Sequence, residues 1–442
     1  MRQNSLFHSI MRRIIYPLVL TLLFSLSALM HGEAGMRPNA PFHAAATDTI
    51  APDTVATADQ GEDNDSIEPT EADDTYSNLP LEERLRHLLD NDIFERTQVG
   101  ISVFDLTADT LVFSYHAQQC MRPASNEKLV TAITALHHLG TGYTYQTPFF
   151  TTGIVTDSVL HGSLCVRGGY DPLLDTEDLR AVTDSLKARG IFAIDGDVLT
   201  DLSFKDDKRW GWGWCWDDNE VPLTPLLFNN RDRFAEGIRQ ALQRADISWS
   251  GSISEGTVPA SATPLCTRSH TIDQVLLPMM KRSDNSMAES MFYQVAAHDS
   301  NRPATRRRAV QITENLIRTV GLNPSHYQIA DGSGLSLYNY LTPQLLVRLL
   351  RFAYRDGDIY RHLLPSLPIA GEDGTLRKRM RGTAAQGNVK AKTGTVEGVS
   401  TLSGYCIAAS GNVLCFSIMN QGIRHTSTGR NFQDRVCRTL VQ

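Results

Sequence analysis

The sequence predicts a mixed fold, α+β or α/β in class, in which a main domain is interrupted by an inserted α+β region. Residues 99–104 and 111–115 alternate apolar and polar side chains about a short turn, which is the pattern of a β-hairpin. Residues 124–139 form a helical apolar run. From about residue 144 to residue 267 the pattern changes to short strands, turns and two amphipathic helices.

The length of the chain supports this division. The chain has 442 residues, and the part after residue 78 is too long for one small hydrophobic core. We therefore expect a main domain split over residues 79–143 and 268–442, with residues 144–267 as the inserted domain. The two helices of the insertion are expected near residues 176–189 and 231–245.

Residues 1–35 have the pattern of an export signal. Arg12 and Arg13 precede an apolar run at residues 14–30, and small residues around Ala34 follow it. A proline and several hydroxyl residues make the run marginal as a permanent span, so a cleaved signal peptide and an uncleaved membrane anchor both stay open. In either case the sequence predicts a protein exported to the periplasm or cell envelope.

Residues 36–78 have the composition of a disordered acidic tether. They contain ten acidic residues and one basic residue, Arg37, with little apolar content. This segment and the first 35 residues together account for the whole formal net charge of −7. The remainder of the chain is therefore neutral, and it shows no charge bias towards nucleic acid or an acidic surface.

The chemistry is expected to centre on the start of the helix at residues 124–139. Pro123 suits its first turn and Gly140 its C-terminal cap. Because residues three apart share a helix face, the Ser125 hydroxyl and the Lys128 amine can come within hydrogen-bond reach. Serine is a poor nucleophile until a base takes its proton, and burial can make a lysine neutral enough to do so. The pattern therefore predicts a nucleophile beside its base.

Two polar motifs further along the chain add to this pair. Ser283-Asp284-Asn285 interrupts two predicted helices, at residues 271–281 and 286–297, where it can point into a cleft. The serine of this motif can pass a proton, and its asparagine amide can bind a peptide carbonyl. Lys392-Thr393-Gly394-Thr395 ends a strand-like stretch. Its cation, hydroxyl and bare glycine suit an extended peptide with a terminal carboxylate.

Together the three motifs indicate a family. S-x-x-K at Ser125, S-D-N at Ser283 and K-T-G at Lys392 occur in the order shared by penicillin-binding proteins and class A β-lactamases. The chain resembles the D-alanyl-D-alanine carboxypeptidase/endopeptidase family of class C penicillin-binding proteins, the DacB-like S13 serine peptidases. The resemblance spans about residues 79–442 and is also carried by the stretches at 168–172 (GGYDP), 331–336 (DGSGLS) and 367–376 (LPIAGEDGTL).

The resemblance implies a penicillin-binding, transpeptidase-like domain of the β-lactamase-like fold. Its antiparallel sheet would be built from the hairpin, the strand at Lys392 and strands at residues 402–407 and 413–419, packed against a helical region. The region at residues 144–267 would be the insertion that this family places between Ser125 and Ser283.

The resemblance also implies a role for each site residue. Ser125 would attack the peptide bond between two terminal D-alanines, and Lys128 would take its proton. Ser283 would relay a proton to the leaving amine with Lys392 close enough to tune it, while Asn285 would orient the acyl side. Backbone N–H groups of Ser125 and Thr395 would hold the oxyanion. The residues implied to bind substrate are Lys392, Thr393, Gly394, Thr395, Asp331 and Ser333.

The implied partners follow from this chemistry. Peptidoglycan stem peptides would be the substrates and β-lactam antibiotics the inhibitors, and no metal or organic cofactor is needed. One departure from the family is Leu337, which follows the stretch at 331–336 where relatives commonly carry arginine. A charged contact near the site is therefore expected to be absent.

Two other functions fit parts of the pattern. A serine β-lactamase uses the same three motifs, but class A enzymes also use a deacylating glutamate, usually within E-x-x-x-N. No such pattern lies between Ser125 and Ser283. A non-catalytic cell-wall-binding adaptor would keep the fold alone, and the intact motifs argue against it.

Two further patterns concern packing. Cys406 and Cys415 flank a turn, and their burial as small apolar residues is favoured over a disulfide. Tryptophans alternate with small residues at positions 210, 212, 214 and 216, which in an extended chain places all four rings on one side. A hydrophobic seam between the insertion and the main domain is favoured over a sugar-stacking platform, because rows of aromatic rings facing water are costly.

Overall fold

The computed structural model describes residues 78–298 and 302–442. The predicted signal peptide at residues 1–35, and residues 36–77 of the predicted tether, lie outside the described residues. Within the described ranges no helix has both the length and the apolar character needed to cross a bilayer.

These ranges contain ten α-helices and fourteen β-strands. The helices are α1 (Leu81–His87), α2 (Glu127–Leu139), α3 (Thr176–Ala188), α4 (Phe234–Arg244), α5 (Ile272–Arg282), α6 (Asn285–Ala297), α7 (Arg306–Thr319), α8 (Pro343–Arg355), α9 (Gly357–Ser366) and α10 (Thr426–Val441). The strands are β1 (Gln98–Asp105), β2 (Thr110–Tyr115), β3 (Thr144–Thr151), β4 (Ile154–Thr156), β5 (Val159–His161), β6 (Leu164–Arg167), β7 (Ala193–Ile194), β8 (Val198–Asp201), β9 (Ser248–Trp249), β10 (Ile253–Glu255), β11 (Thr263–Thr271), β12 (Lys390–Val396), β13 (Val399–Ile407) and β14 (Val413–Gln421).

The main sheet has five antiparallel strands in the order β12-β13-β14-β1-β2. β1, near the start of the described chain, therefore pairs with β14, near its end, in the interior of the sheet. Gln98 lies opposite Gln421 and Asp105 opposite Leu414. β12, which carries Lys392, is an edge strand. The predicted hairpin and the predicted antiparallel sheet are both confirmed.

Each face of the main sheet borders its own hydrophobic core. α1 and α10 cover one face, where Leu85 and Val436 pack into the cluster that contains Ile101. α8 covers the other face, and α2 packs behind it in the same cluster, which contains Phe104. Ten of the thirteen residues of α2 are buried, so the helix that begins beside Ser125 is fixed on nearly all sides.

Cys406 and Cys415 lie on neighbouring strands but on opposite faces of the main sheet. Cys406 pairs with Leu414, so Cys415, the next residue along β14, points to the other side. The two side chains lie in different cores, and both cysteines are free. Their predicted burial as small apolar residues is confirmed.

The region after α2 builds two further sheets. One has the strand order β10-β8-β6-β3-β11 and the other the order β4-β5-β7-β9. α3 and α4 share a hydrophobic cluster with these strands. The two helices predicted for the insertion are therefore present, slightly shorter than expected. The boundary expected at residue 267 falls inside β11, which runs on to Thr271 and leads into α5. The division into domains stays a prediction.

The tryptophan-rich stretch is a series of turns, not an extended strand. Gly213 has a φ of 83°, which breaks the alternation that the sequence pattern assumed. Trp214 alone packs against the core around α2, whereas Trp210, Trp212 and Trp216 are exposed. The stretch is not extended, so the condition for placing all four rings on one side is not met. Besides Trp214, the Trp212 ring packs against Tyr338, with ring centroids 5.0 Å apart.

Candidate active site

Ser125 and Lys128 lie at the start of α2, as the spacing predicted. Ser125 belongs to a single 3-10 turn (Ala124–Asn126) that runs directly into the helix. The Lys128 side chain is completely buried. Its Nζ lies 2.9 Å from Ser125 Oγ, 2.6 Å from Asn285 Oδ1 and 2.8 Å from the carbonyl oxygen of Ser333.

The surroundings of Lys128 favour its neutral form. Burial lowers the pKa of its ammonium group to about 8, although Asp331 and other nearby carboxylates oppose the shift. A neutral amine has two hydrogens and one lone pair. It can donate to Asn285 and to the Ser333 carbonyl, which leaves the lone pair facing Ser125 Oγ–H. This arrangement suits a base that takes the Ser125 proton.

The Ser283-Asp284-Asn285 motif forms the junction between α5 and α6. Ser283 ends α5 in a left-handed conformation with a φ of 62°, which is uncommon for a residue with a side chain. Asp284 caps α6 by accepting a hydrogen bond from the Met287 N–H. This cap makes Asn285 the first residue of α6 and directs its amide to Lys128. The predicted polar junction between two helices is confirmed.

β12 lies against the Ser125 turn. Asn126 Nδ2 donates to the carbonyl oxygen of Lys392 at 3.0 Å, and Thr401 Oγ1 donates to the carbonyl oxygen of Pro123 at 2.8 Å. A Cβ at Gly394 would lie 2.8 Å from the Pro123 oxygen and 3.0 Å from the Ser125 nitrogen. Only glycine therefore allows this close approach of strand and turn.

Lys392 joins the second and third motifs. Its side chain is completely buried, and Nζ donates to Ser283 Oγ and to the carbonyl oxygen of Thr393, each at 2.8 Å. Burial lowers its pKa well below the ordinary range, and the nearby Lys128 adds to the shift. Thr393 Oγ1 donates to Thr375 Oγ1 at 2.7 Å. The half-exposed Thr393 and Thr395 flank Gly394 on this strand.

Asp331 and Ser333, expected to bind substrate, are buried inside the protein. The Asp331 carboxylate accepts four hydrogen bonds, from the N–H groups of Gly334 and Ser336, from Asn339 Nδ2 and from Trp214 Nε1. Ser333 offers its carbonyl oxygen to Lys128, while its Oγ accepts from a backbone N–H of its own turn. We infer that both residues hold the turn behind Lys128, and their contact with substrate stays a prediction.

The sequence analysis did not single out three glutamates near the site. Glu127 and Glu289 are buried, and burial raises the pKa of Glu127 well above its ordinary range and that of Glu289 to about 8. Glu220 Oε1 accepts a hydrogen bond from Asn285 Nδ2. Glu289 could have been noticed among the apolar residues of α6, whereas nothing local marks Glu220.

Comparison with known proteins identifies the family of the chain. The model of the D-Ala-D-Ala carboxypeptidase 3 (S13) family matches residues 81–227 and 219–442. D-alanyl-D-alanine carboxypeptidase DacB of Haemophilus influenzae is 26% identical over 420 residues, covering 76% of this chain and 87% of the relative.

Solved structures show the same fold. The crystal structure of penicillin binding protein 4 (dacB) from Haemophilus influenzae matches with a TM-score of 0.72 at 22% identity, over 80% of this chain and 98% of that one. The same protein complexed with a β-lactam matches with a TM-score of 0.65 at 23% identity, over 80% and 97% of the two chains. With its family match over nearly all of the described residues, the chain belongs to the D-Ala-D-Ala carboxypeptidase 3 (S13) family.

Proposed function

We propose that Ser125 is the nucleophile of a serine D-alanyl-D-alanine carboxypeptidase that acts on peptidoglycan stem peptides. The family assignment makes the protein a carboxypeptidase of this class. The observation that carries the choice of nucleophile is the completely buried Lys128 amine, 2.9 Å from Ser125 Oγ. An exported protein of the periplasm or cell envelope would meet this substrate.

Acylation begins when Ser125 Oγ attacks the carbonyl carbon between the two terminal D-alanines. Lys128 accepts the proton, and the N–H groups of Ser125 and Thr395 stabilise the oxyanion. The C–N bond then breaks, and the leaving amine takes a proton through Ser283. The hydrogen bond that Lys392 Nζ donates to Ser283 Oγ supports this relay, because it stabilises the oxygen as its proton leaves.

Substrate binding follows from the edge position of β12. An extended peptide can pair with this strand, so that its terminal carboxylate lies near Thr393 and Lys392. Asn285, held by its contact with Lys128, binds the acyl part of the substrate. Gly394 keeps the strand close enough for one peptide to reach both β12 and Ser125.

Water completes the reaction by hydrolysing the acyl-enzyme. The same chemistry would cleave the D-alanyl bond of a cross-link, so endopeptidase activity belongs to the proposal. β-Lactams would acylate Ser125 as inhibitors, in keeping with the β-lactam complex of the Haemophilus influenzae relative.

Labelled penicillin tests the proposal. We expect a long-lived adduct that mass spectrometry maps to Ser125, release of D-alanine from a D-Ala-D-Ala peptide, and loss of both in Ser125→Ala. Rapid turnover of the penicillin would favour a β-lactamase. The absence of both adduct and turnover would favour the non-catalytic adaptor.

A further inference from the structure

A carboxylate from the region between α2 and α5 reaches the active site. Asn285 Nδ2 donates to Glu220 Oε1 at 2.5 Å, while Asn285 Oδ1 accepts from Lys128 Nζ at 2.6 Å. One amide therefore joins the carboxylate to the proposed base. The sequence contains no E-x-x-x-N pattern here, but the fold pairs a glutamate with an asparagine 65 residues away.

The charge of Glu220 is coupled to that of Lys128. Glu220 is half-buried, and desolvation raises the pKa of its carboxyl group, while the hydrogen bond from Asn285 and the Lys128 cation favour the ionised form. Asp284 and Asp218 also face it and act against ionisation. In turn the Glu220 charge raises the pKa of Lys128. These opposing effects suit a group that gains and loses a proton during a reaction.

One oxygen of Glu220 has no protein partner among the described residues. Oε1 holds the Asn285 amide, whereas Oε2 makes no hydrogen bond to a described residue and is not enclosed. A carboxylate whose only task was to hold Asn285 would need one oxygen. The second oxygen is placed to hold a water molecule next to the residue that orients the acyl group.

We propose that Glu220 is the general base that activates the water for deacylation. The inference rests on the acyl-enzyme at Ser125 proposed above. The water oxygen attacks the ester carbonyl carbon as Glu220 Oε2 takes its proton. The bond from that carbon to Ser125 Oγ then breaks, and Oγ takes a proton from the Lys128 ammonium. Glu220 releases its proton to solvent, which balances the proton that the leaving amine took through Ser283, and Lys128 is again the neutral amine.

Glu220→Gln tests this step, because glutamine keeps an oxygen for Asn285 Nδ2 but cannot act as the base. We expect acylation by labelled penicillin to stay within about threefold of wild type and release of the adduct to slow by ~10²-fold or more. Asp217→Asn is the matched control, since it removes one negative charge from the same loop at an exposed position. It should change neither rate.

Chemical rescue separates a catalytic from a structural role. In Glu220→Ala, added formate should restore deacylation in a concentration-dependent way, because a small carboxylate can fill the space and accept the proton. Such rescue would not repair a displaced Asn285. The same measurement stands in for Glu220→Gln if that variant fails to fold.

Three results would overturn the inference. They are deacylation within threefold of wild type in Glu220→Gln, equal losses in acylation and deacylation, and no effect of formate on Glu220→Ala. Failure of the proposed function looks different, since the wild-type protein would then form no adduct on Ser125 at all.

Discussion

A lysine beside a serine can act as a base or only as a positive charge, and Lys128→Arg separates these roles. Arginine keeps the charge and most of the length but cannot lose its proton near neutral pH. General-base assistance is worth ~10²–10⁴-fold. We therefore expect acylation of Ser125 by labelled penicillin to fall by at least about 100-fold. Circular dichroism should show that the variant is folded.

The pH dependence of acylation provides a second test of Lys128. Because burial lowers the pKa of Lys128 to about 8, the neutral fraction and the wild-type acylation rate should rise with pH and level off above that value. Folded Lys128→Arg should lack this rise. If the variant instead acylates within a few-fold of wild type, Ser283 with Lys392 becomes the better candidate for the base.

The raised pKa of Glu289 predicts how the free energy of unfolding depends on pH. It accepts hydrogen bonds from the N–H groups of Gly332 and Ser333, and burial raises its pKa from 4.5 to about 8. A carboxyl group with a raised folded-state pKa contributes stability below its unfolded pKa, and this contribution is lost as the pH rises through the folded value. Wild-type stability should therefore fall between about pH 5 and pH 8.

Glu289→Gln should flatten this part of the stability curve. Glutamine has a similar shape and can accept the same hydrogen bonds, but it does not ionise. Denaturant unfolding at a series of pH values would measure the difference, which should reach at least about 1 kcal/mol, since each pKa unit corresponds to about 1.4 kcal/mol. Parallel curves for the two proteins would contradict the assignment of the raised pKa.

At the scale of elements, the contact between β12 and the Ser125 turn depends on Gly394. A methyl group there would lie 2.2 Å from Thr401 Oγ1 as well as against the turn, so the strand must move away. We expect Gly394→Ala to lower kcat/KM for a D-Ala-D-Ala peptide by at least about tenfold, because small displacements of catalytic groups are costly.

The matched control for Gly394→Ala is Gly357→Ala at the first residue of α9. A Cβ at Gly357 meets no atom within 4 Å, and the residue does not need a positive φ. This control should leave kcat/KM unchanged. Wild-type activity in Gly394→Ala would show that the strand tolerates a side chain, and it would remove the steric reason for glycine.

Features that depend on local signals could be predicted from the sequence, whereas features that depend on tertiary contacts could not. Local signals placed α2 beside Ser125 and the break at Ser283, because caps and helical spacing act over a few residues. The turns of the tryptophan stretch could not be predicted, since alternation alone does not separate a strand from successive turns. Glu220 was missed because its role depends on a partner 65 residues away. The buried positions of Asp331 and Ser333 likewise follow from tertiary contacts.

At the scale of the whole molecule, the active site is assembled from distant parts of the chain. Hydrogen bonds join Lys128 to Ser333, 205 residues apart, and Asn126 to Lys392, 266 residues apart. The region between α2 and α5 adds Glu220 to the same site, through its hydrogen bond with Asn285. The motif order in the sequence could indicate the family, but the contacts exist only when the main sheet has brought its terminal strands together.

Truncation tests where the folded part begins. A chain that starts at Leu79 loses only the predicted signal and the predicted tether. The tether has too little apolar content to pack against the folded part. The shortened chain should keep the melting temperature and kcat/KM of the longer chain. A chain that starts at Gln98 also loses α1 with its Leu85, and the next residue, Leu88; both leucines are buried in the core with α10. Loss of a buried leucine side chain costs about 2–5 kcal/mol, so this second chain should melt far lower. A large loss of stability in the first chain, or none in the second, would contradict this boundary.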